Sequence, residues 1–144
     1  MGKKYSRAFT LTELIIVVSI ISFLAVMAMA YFRSQIFKGN DARRKADIKK
    51  IQIALEEYEK DHDCYPPAEF VVCEPGDGLL PYMSQIPCDP TSDTSYLYDY
   101  ENDACPGWYR IYTKLEYAQD PNITPGIGPG SLYNYYQGSP NSPQ

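Results

Sequence analysis

Residues 14–32 form a run of nineteen positions without a charge, glycine or proline. At ~1.5 Å of rise per residue that is roughly 28 Å of apolar helix, close to the ~30 Å hydrocarbon layer of a bilayer. The run predicts a membrane span. It exceeds the ~7–15 apolar residues of an ordinary secretory signal, and Arg33 and Gln35 follow it in place of a small-residue cleavage site. Farther on the apolar spacing changes: Ile48, Ile51, Leu55 and Tyr58 recur by three, four and three, with Arg44, Lys45, Lys49, Lys50, Glu56 and Glu59 elsewhere on the wheel. This period predicts an amphipathic helix over 41–61. Asp41 near its start and Lys60 near its end suit the helix dipole, and Pro66-Pro67 sets its latest stop. Gly39-Asn40 is the first place where a kink or restart is expected. If both segments join, the helix is ~80 Å long, more than the remaining chain can bury, so part of it is left for other chains.

The pattern then turns β-like. Residues 96–100 and 108–116 are rich in aromatic and β-branched side chains and read as two strands joined by a turn at Pro106-Gly107. In the second, Tyr109, Ile111, Thr113 and Leu115 alternate with Trp108, Arg110, Tyr112 and Lys114, so one face is available to cover the amphipathic helix. The prolines between 64 and 95 mark loops, with one short helical turn expected at 78–83. Residues 119–144 are rich in Pro, Gly, Ser, Asn and Tyr and are expected to be irregular. The predicted class is α+β: a long N-terminal helix packed on a small antiparallel sheet in a head with disulfide-tied loops. Its parts are a leader 1–8, an apolar helix 9–38, an amphipathic helix 39–62, a head 63–118 and a tail 119–144.

Composition sharpens this division. All 12 prolines lie at or beyond Pro66, so the first part is free of the strongest helix breaker. Residues 61–144 carry Arg110 and Lys114 against twelve acids, a surface that repels phosphate backbones, and no nucleic-acid contact is expected. Lys3, Lys4 and Arg7 precede the span and predict a cytoplasmic N-terminus with the remainder exported. Cys64, Cys73, Cys88 and Cys105 all fall on the exported side, where an even number reads as two disulfides. Four cysteines allow three pairings. Short proline-containing loops favour Cys64–Cys73 with Cys88–Cys105. The spacing lacks the close pairs of a zinc site.

One segment carries the functional signal: a basic leader, a small residue at Ala8, then Phe9-Thr-Leu-Thr-Glu13 running into the apolar helix. A carboxylate at the rim of a membrane span is costly, so Glu13 calls for a partner. The order resembles the class III signal of type IV prepilins and of the pseudopilins of type II secretion. Ala8 stands where glycine is more usual. The segment 41–66 and the run Ile86-Pro87-Cys88-Asp89-Pro90 are similar to the major pseudopilin subfamily.

That resemblance implies cleavage by a prepilin peptidase between Ala8 and Phe9, N-methylation of Phe9, and pairing of Glu13 with the terminal ammonium of a neighbouring subunit. It implies a homopolymer of pilin subunits, raised by an assembly ATPase and an inner-membrane platform protein. The precursor would sit in the inner membrane and the product in a surface filament or a periplasmic pseudopilus. A structural pilin is the reading adopted; a major pseudopilin and a minor tip subunit or adhesin are the alternatives. No cofactor is expected. The resemblance does raise calcium in the head, for which Asp89, Asp93, Asp99, Glu101 and Asp103 are the candidate oxygens, although their spacing is not that of an EF-hand. His62 near Cys64 permits a Cys/His pair on paper, but no catalytic motif surrounds it and an enzyme is not expected.

Overall fold

The computed structural model describes residues 9–143. Its elements are a helix α1 (Leu11–His62), a 3₁₀ turn (Ala68–Phe70), strands β1 (Leu97–Tyr100) and β2 (Tyr109–Thr113), a second 3₁₀ turn (Pro129–Ser131) and strand β3 (Tyr135–Gly138). The chain divides into two units, one ending at Ile36 and one beginning at Phe37. The helix is assigned through Gly39-Asn40, where a restart was expected, and no atom lies within 4 Å of where a Gly39 Cβ would stand. Asp41 therefore sits in mid-helix, and the expected match of its charge to a helix-start dipole does not hold.

In the N-terminal unit no described residue covers the apolar run. Leu14 is 61% exposed, and Ile15, Ile21, Phe23 and Phe32 are exposed in the same way. Ser19 and Ser22 return their hydroxyls to the helix itself, donating to the Ile16 and Val18 carbonyls at 2.8 and 2.7 Å. Their polar atoms are thereby satisfied without water, as a span requires. By length and composition this stretch is able to cross a membrane.

The head unit has a conventional core. Ile48, Ile51, Ala54 and Leu55 of α1 are buried together with Tyr65, Val71, Leu79, Ile86, Tyr98, Tyr109 and Ile111. Full burial of an Ile or Leu contributes about 1.5–3 kcal/mol, so three of the positions read from periodicity, Ile48, Ile51 and Leu55, anchor the head, while Tyr58 is only half-buried. The sheet is antiparallel in the order β1-β2-β3, with Tyr98 opposite Ile111 and Ile111 opposite Gln137. Tyr109, Ile111, Thr113 and Leu115 are buried as the alternation predicts.

Two further expectations need correction. The tail is not wholly irregular, because Tyr135–Gly138 supplies the third strand. It also explains why Tyr112, on the other face of β2, is buried: Tyr133 and Tyr136 lie 5.7 Å from its ring. Gly128 makes that approach possible, since a Cβ there would stand 2.9 Å from the Tyr112 ring and its φ is +72°. The segment 78–83 makes the single turn expected of it, with Met83 N–H donating to the Leu79 carbonyl at 3.0 Å.

The disulfides are Cys64–Cys105 and Cys73–Cys88, each with Cα atoms 5.1 Å apart, in place of Cys64–Cys73 and Cys88–Cys105. Cys64 leaves the end of α1 beside the β1–β2 connection, where Tyr65 N–H donates to the Pro106 carbonyl at 2.9 Å. Tertiary position overrides short loop length here. The bridges span 41 and 15 residues, and chain entropy alone assigns them about 3–4 kcal/mol each.

Candidate functional site

Two groups of residues carry chemistry: the start of α1 and an ion cluster inside the head. At the helix start Thr10 donates its backbone N–H and its hydroxyl to Glu13 Oε2, both at 2.8 Å, while Glu13 N–H donates to Thr10 Oγ1 at 3.2 Å. This is a reciprocal capping box, written in the sequence as Thr10-Leu-Thr-Glu13. It satisfies helix-end donors and fixes the carboxylate beside the first turn. Both Thr10 donors use one oxygen, and Oε1 accepts no hydrogen bond among the described residues. Phe9 next to it is 87% exposed. The proposed cut after Ala8, and the basic leader with it, lie outside the described residues.

The head cluster is centred on Arg44, only 3% exposed. Its Nη1 donates to Asp41 at 2.8 Å, Nε to Asp89 Oδ2 at 2.7 Å, and Nη2 to Asp89 Oδ1, Thr91 and Glu116 at 3.1, 2.8 and 3.0 Å. Asp41, 1% exposed, also accepts the backbone N–H groups of Glu116 and Tyr117, at 3.0 and 2.7 Å. Asp89 in turn accepts from Thr91 and Ser92 N–H at 2.9 and 3.1 Å. The helix, the 89–92 loop and the end of β2 are tied at one point. Lys45 adds a second tie by holding Asp120 of the tail at 2.6 Å.

The sequence run Arg43-Arg44-Lys45 looks like a uniformly solvated basic patch, yet only Arg43 stays outside. The missed signal is Asp41 three residues before Arg44, a pair on one helix face.

Electrostatics follow from these contacts. Burial opposes the Arg44 charge, but its hydrogen bonds to Asp89, Glu116 and Asp41 outweigh that and raise its pKa further. Burial would raise Asp89, and Arg44 with the two loop N–H groups reverses the sign, holding it below the ordinary carboxylate value. Asp120 is lowered chiefly by Lys45. In the core Tyr65 and Tyr109 both donate to Glu56, at 3.2 and 3.0 Å, and Tyr98 donates to the Pro66 carbonyl at 3.0 Å. Burial, and for Tyr65 and Tyr109 also Glu56, pushes these phenols above their ordinary value.

The other candidates do not converge. Of the five acids considered for calcium, Asp89 is engaged by Arg44, Glu101 accepts Gly107 N–H at 2.7 Å and Asp103 accepts Cys105 N–H at 3.3 Å. Among the described residues no group of three or more His, Cys, Asp or Glu side chains is placed to hold a metal. His62 stacks on Tyr58 at 4.0 Å between ring centroids, and Cys64 is bonded to Cys105, so no Cys/His pair forms.

Residues 3–29 match the prokaryotic N-terminal methylation motif. Over 124 residues the chain is 27% identical to type II secretion system core protein G of Pseudomonas aeruginosa, covering 78% of this chain and 85% of that protein. Together the two matches support a likeness to type IV pilins and pseudopilins. Proteins of this class are structural. No solved structure matches the chain. The alignment to the secretion protein runs well past the methylation motif, so the likeness of this pilin-like chain includes its head.

Truncation at the ion cluster tests its weight. Asp41→Ala leaves Arg44 with one carboxylate fewer and two backbone N–H groups without their acceptor, and is expected to cost about 3–5 kcal/mol in denaturant unfolding of the detergent-solubilised chain. A loss below about 1 kcal/mol contradicts the role given to Asp41.

The pKa shifts also set a pH window. Asp89 and Asp120, lowered on folding, contribute stability that is present above their ordinary 3.8 and is lost as pH falls through the depressed values. Tyr65, Tyr98 and Tyr109, raised on folding, contribute stability that is full below their ordinary 10.0 and is lost as pH rises through the elevated values. The unfolding midpoint measured against pH is expected to be flat between these limits and to fall outside them; a decline centred near neutrality contradicts the assignment.

Proposed function

We propose that this chain is a filament subunit whose N-terminal helix exchanges lipid for sister helices. A prepilin peptidase cuts between Ala8 and Phe9 and methylates the new terminus. Removing the leader takes away Lys3, Lys4 and Arg7 and leaves a single ammonium on Phe9. Its counter-charge is Glu13 of a neighbouring copy. The observation that carries this reading is the open Oε1 of Glu13, held at the head of an exposed apolar helix.

Opposite charges in an apolar layer attract strongly and set register even where desolvation cancels much of the net gain. Lipid before assembly and sister helices afterwards both satisfy the same apolar face, so the subunit moves between them without meeting water. The head supplies the outer surface and performs no turnover. In this reading the N-terminus is cytoplasmic, the head is exported, and an assembly ATPase with a platform protein drives the transfer.

A short secretion pseudopilus is the second reading, and the likeness to the Pseudomonas core protein favours it. Deletion of the gene separates the two: loss of exported enzymes marks a pseudopilin, and loss of surface fibres marks a pilin.

Intact-mass analysis from the native membrane is expected to find assembled chain starting at methylated Phe9, while Glu13→Gln remains in the membrane and loses polymer by at least about tenfold. Assembled material that begins at Met1, or Glu13→Gln polymer at the wild-type level, overturns the proposal.

A further inference from the structure

The head unit carries a cleft of about 520 Å³ beside β3, within the ~300–1,000 Å³ of small-ligand pockets. Asn122, Thr124, Tyr135, Tyr136, Gly138 and Ser142 are among its walls. None of its lining residues is charged, although residues 61–144 hold twelve acids against two bases. Lys45, over the Tyr135 ring, is neutralised by Asp120 at 2.6 Å.

β3 is an edge strand, and the ladder fixes which of its backbone groups turn outward. Ser139 N–H donates to the Tyr109 carbonyl at 3.1 Å. Bonded pairs alternate along an antiparallel ladder, so Ile111 with Gln137 and Thr113 with Tyr135 are the others, and Tyr136 and Gly138 turn their backbone groups away from β2. Two outward carbonyls are met inside the head: Thr124 N–H donates to Asn134 at 2.8 Å, and Gln52 Nε2 donates to Gly138 at 3.2 Å. Between them the Tyr136 N–H and C=O and the Gly138 N–H have no partner among the described residues. The same holds for the side-chain amide of Asn122 and the hydroxyls of Thr124 and Ser142.

We infer that this cleft binds a neutral pyranose sugar. Adjacent hydroxyls on a pyranose ring, one accepting and one donating, meet the N–H and C=O of Tyr136 together. A carboxylate or phosphate only accepts, so it leaves the Tyr136 carbonyl unmet, and it enters an acidic surface. An ammonium group only donates and leaves the N–H unmet. A fourth strand would require the Asn134 and Gly138 carbonyls as well. Thr124 and Gln52 hold both, so the open edge is one residue long and too short for an added peptide strand. The other ring hydroxyls find Asn122, Thr124 and Ser142, which both donate and accept, while Tyr135 and Tyr136 offer apolar surface to the ring C–H groups. This binding capacity belongs to the head alone and does not rest on the filament reading.

The test is a titration of the full-length chain, isotope-labelled at tyrosine and glycine nitrogen and held in a detergent without a sugar headgroup, followed by amide NMR. The probes are methyl glucoside, methyl galactoside, methyl mannoside and N-acetylglucosamine, with glucuronate as the charged control and an end-blocked trialanine as the peptide control. At least one neutral sugar is expected to shift the Tyr136 and Gly138 amide signals saturably, with a dissociation constant of about 10 mM or tighter. Glucuronate is expected to bind more weakly than that sugar. Asn122→Ala and Ser142→Ala, both outside the core, are each expected to weaken the binding by about threefold or more while the unfolding midpoint stays unchanged. No saturable shift with any of the four sugars, shifts with the peptide alone, glucuronate binding as tight as the best neutral sugar, or sugar binding that both variants leave intact overturns the inference.

Discussion

An apolar helix surface that no described residue of its own chain covers is the constraint to which the rest of this protein answers. Residues 14–32 expose large side chains around the whole circumference, and burial at ~25 cal/mol per Å² makes water an unacceptable long-term neighbour. Only hydrocarbon or other apolar helices satisfy such a surface. The polar details agree, since Ser19 and Ser22 bond inward to the helix and the single acid, Glu13, lies at the very start. A carboxylate elsewhere in the run would demand its own partner deep in the layer. At the end it serves as a helix cap in the subunit, and its Oε1 accepts no hydrogen bond among the described residues.

The head solves a different problem. A small domain has limited core, and here two disulfides and a buried ion cluster supplement it. Arg44 is surrounded by Asp41, Asp89 and Glu116, so its charge is over-compensated and the loop ends are drawn to the helix. Buried ion pairs of this kind contribute less to net stability than to fixing one arrangement, because desolvation offsets much of the attraction. What they fix here is the position of the 89–92 loop and of the chain leaving β2. The tyrosine-rich tail closes the other face of the sheet over Tyr112.

Much of this was legible in the chain because periodicity reports burial directly. Ile48, Ile51 and Leu55 are at most 1% exposed, as the three-four spacing implies, and the Tyr109–Leu115 alternation finds its buried face. The apolar run and the segment from Ala8 to Glu13 were equally plain. What failed depended on contacts between distant segments. Cys64 pairs with Cys105 because the end of α1 meets the β1–β2 connection, a tertiary fact that loop length does not encode. Tyr135–Gly138 becomes a strand because β2 offers a free edge, despite a composition rich in glycine and proline around it. Arg44 looked solvated because its three acids are scattered over 75 residues of sequence. The capping box was visible in four letters and needed only to be read.

The account stands or falls on what touches the apolar helix after assembly. A photoreactive side chain placed at Ile21 reports its neighbours directly when irradiated first in membranes and then in sheared polymer. The account predicts lipid adducts before assembly and chain-to-chain ladders afterwards. Lipid adducts alone in the polymer, or water-quenched probe in either state, would contradict it.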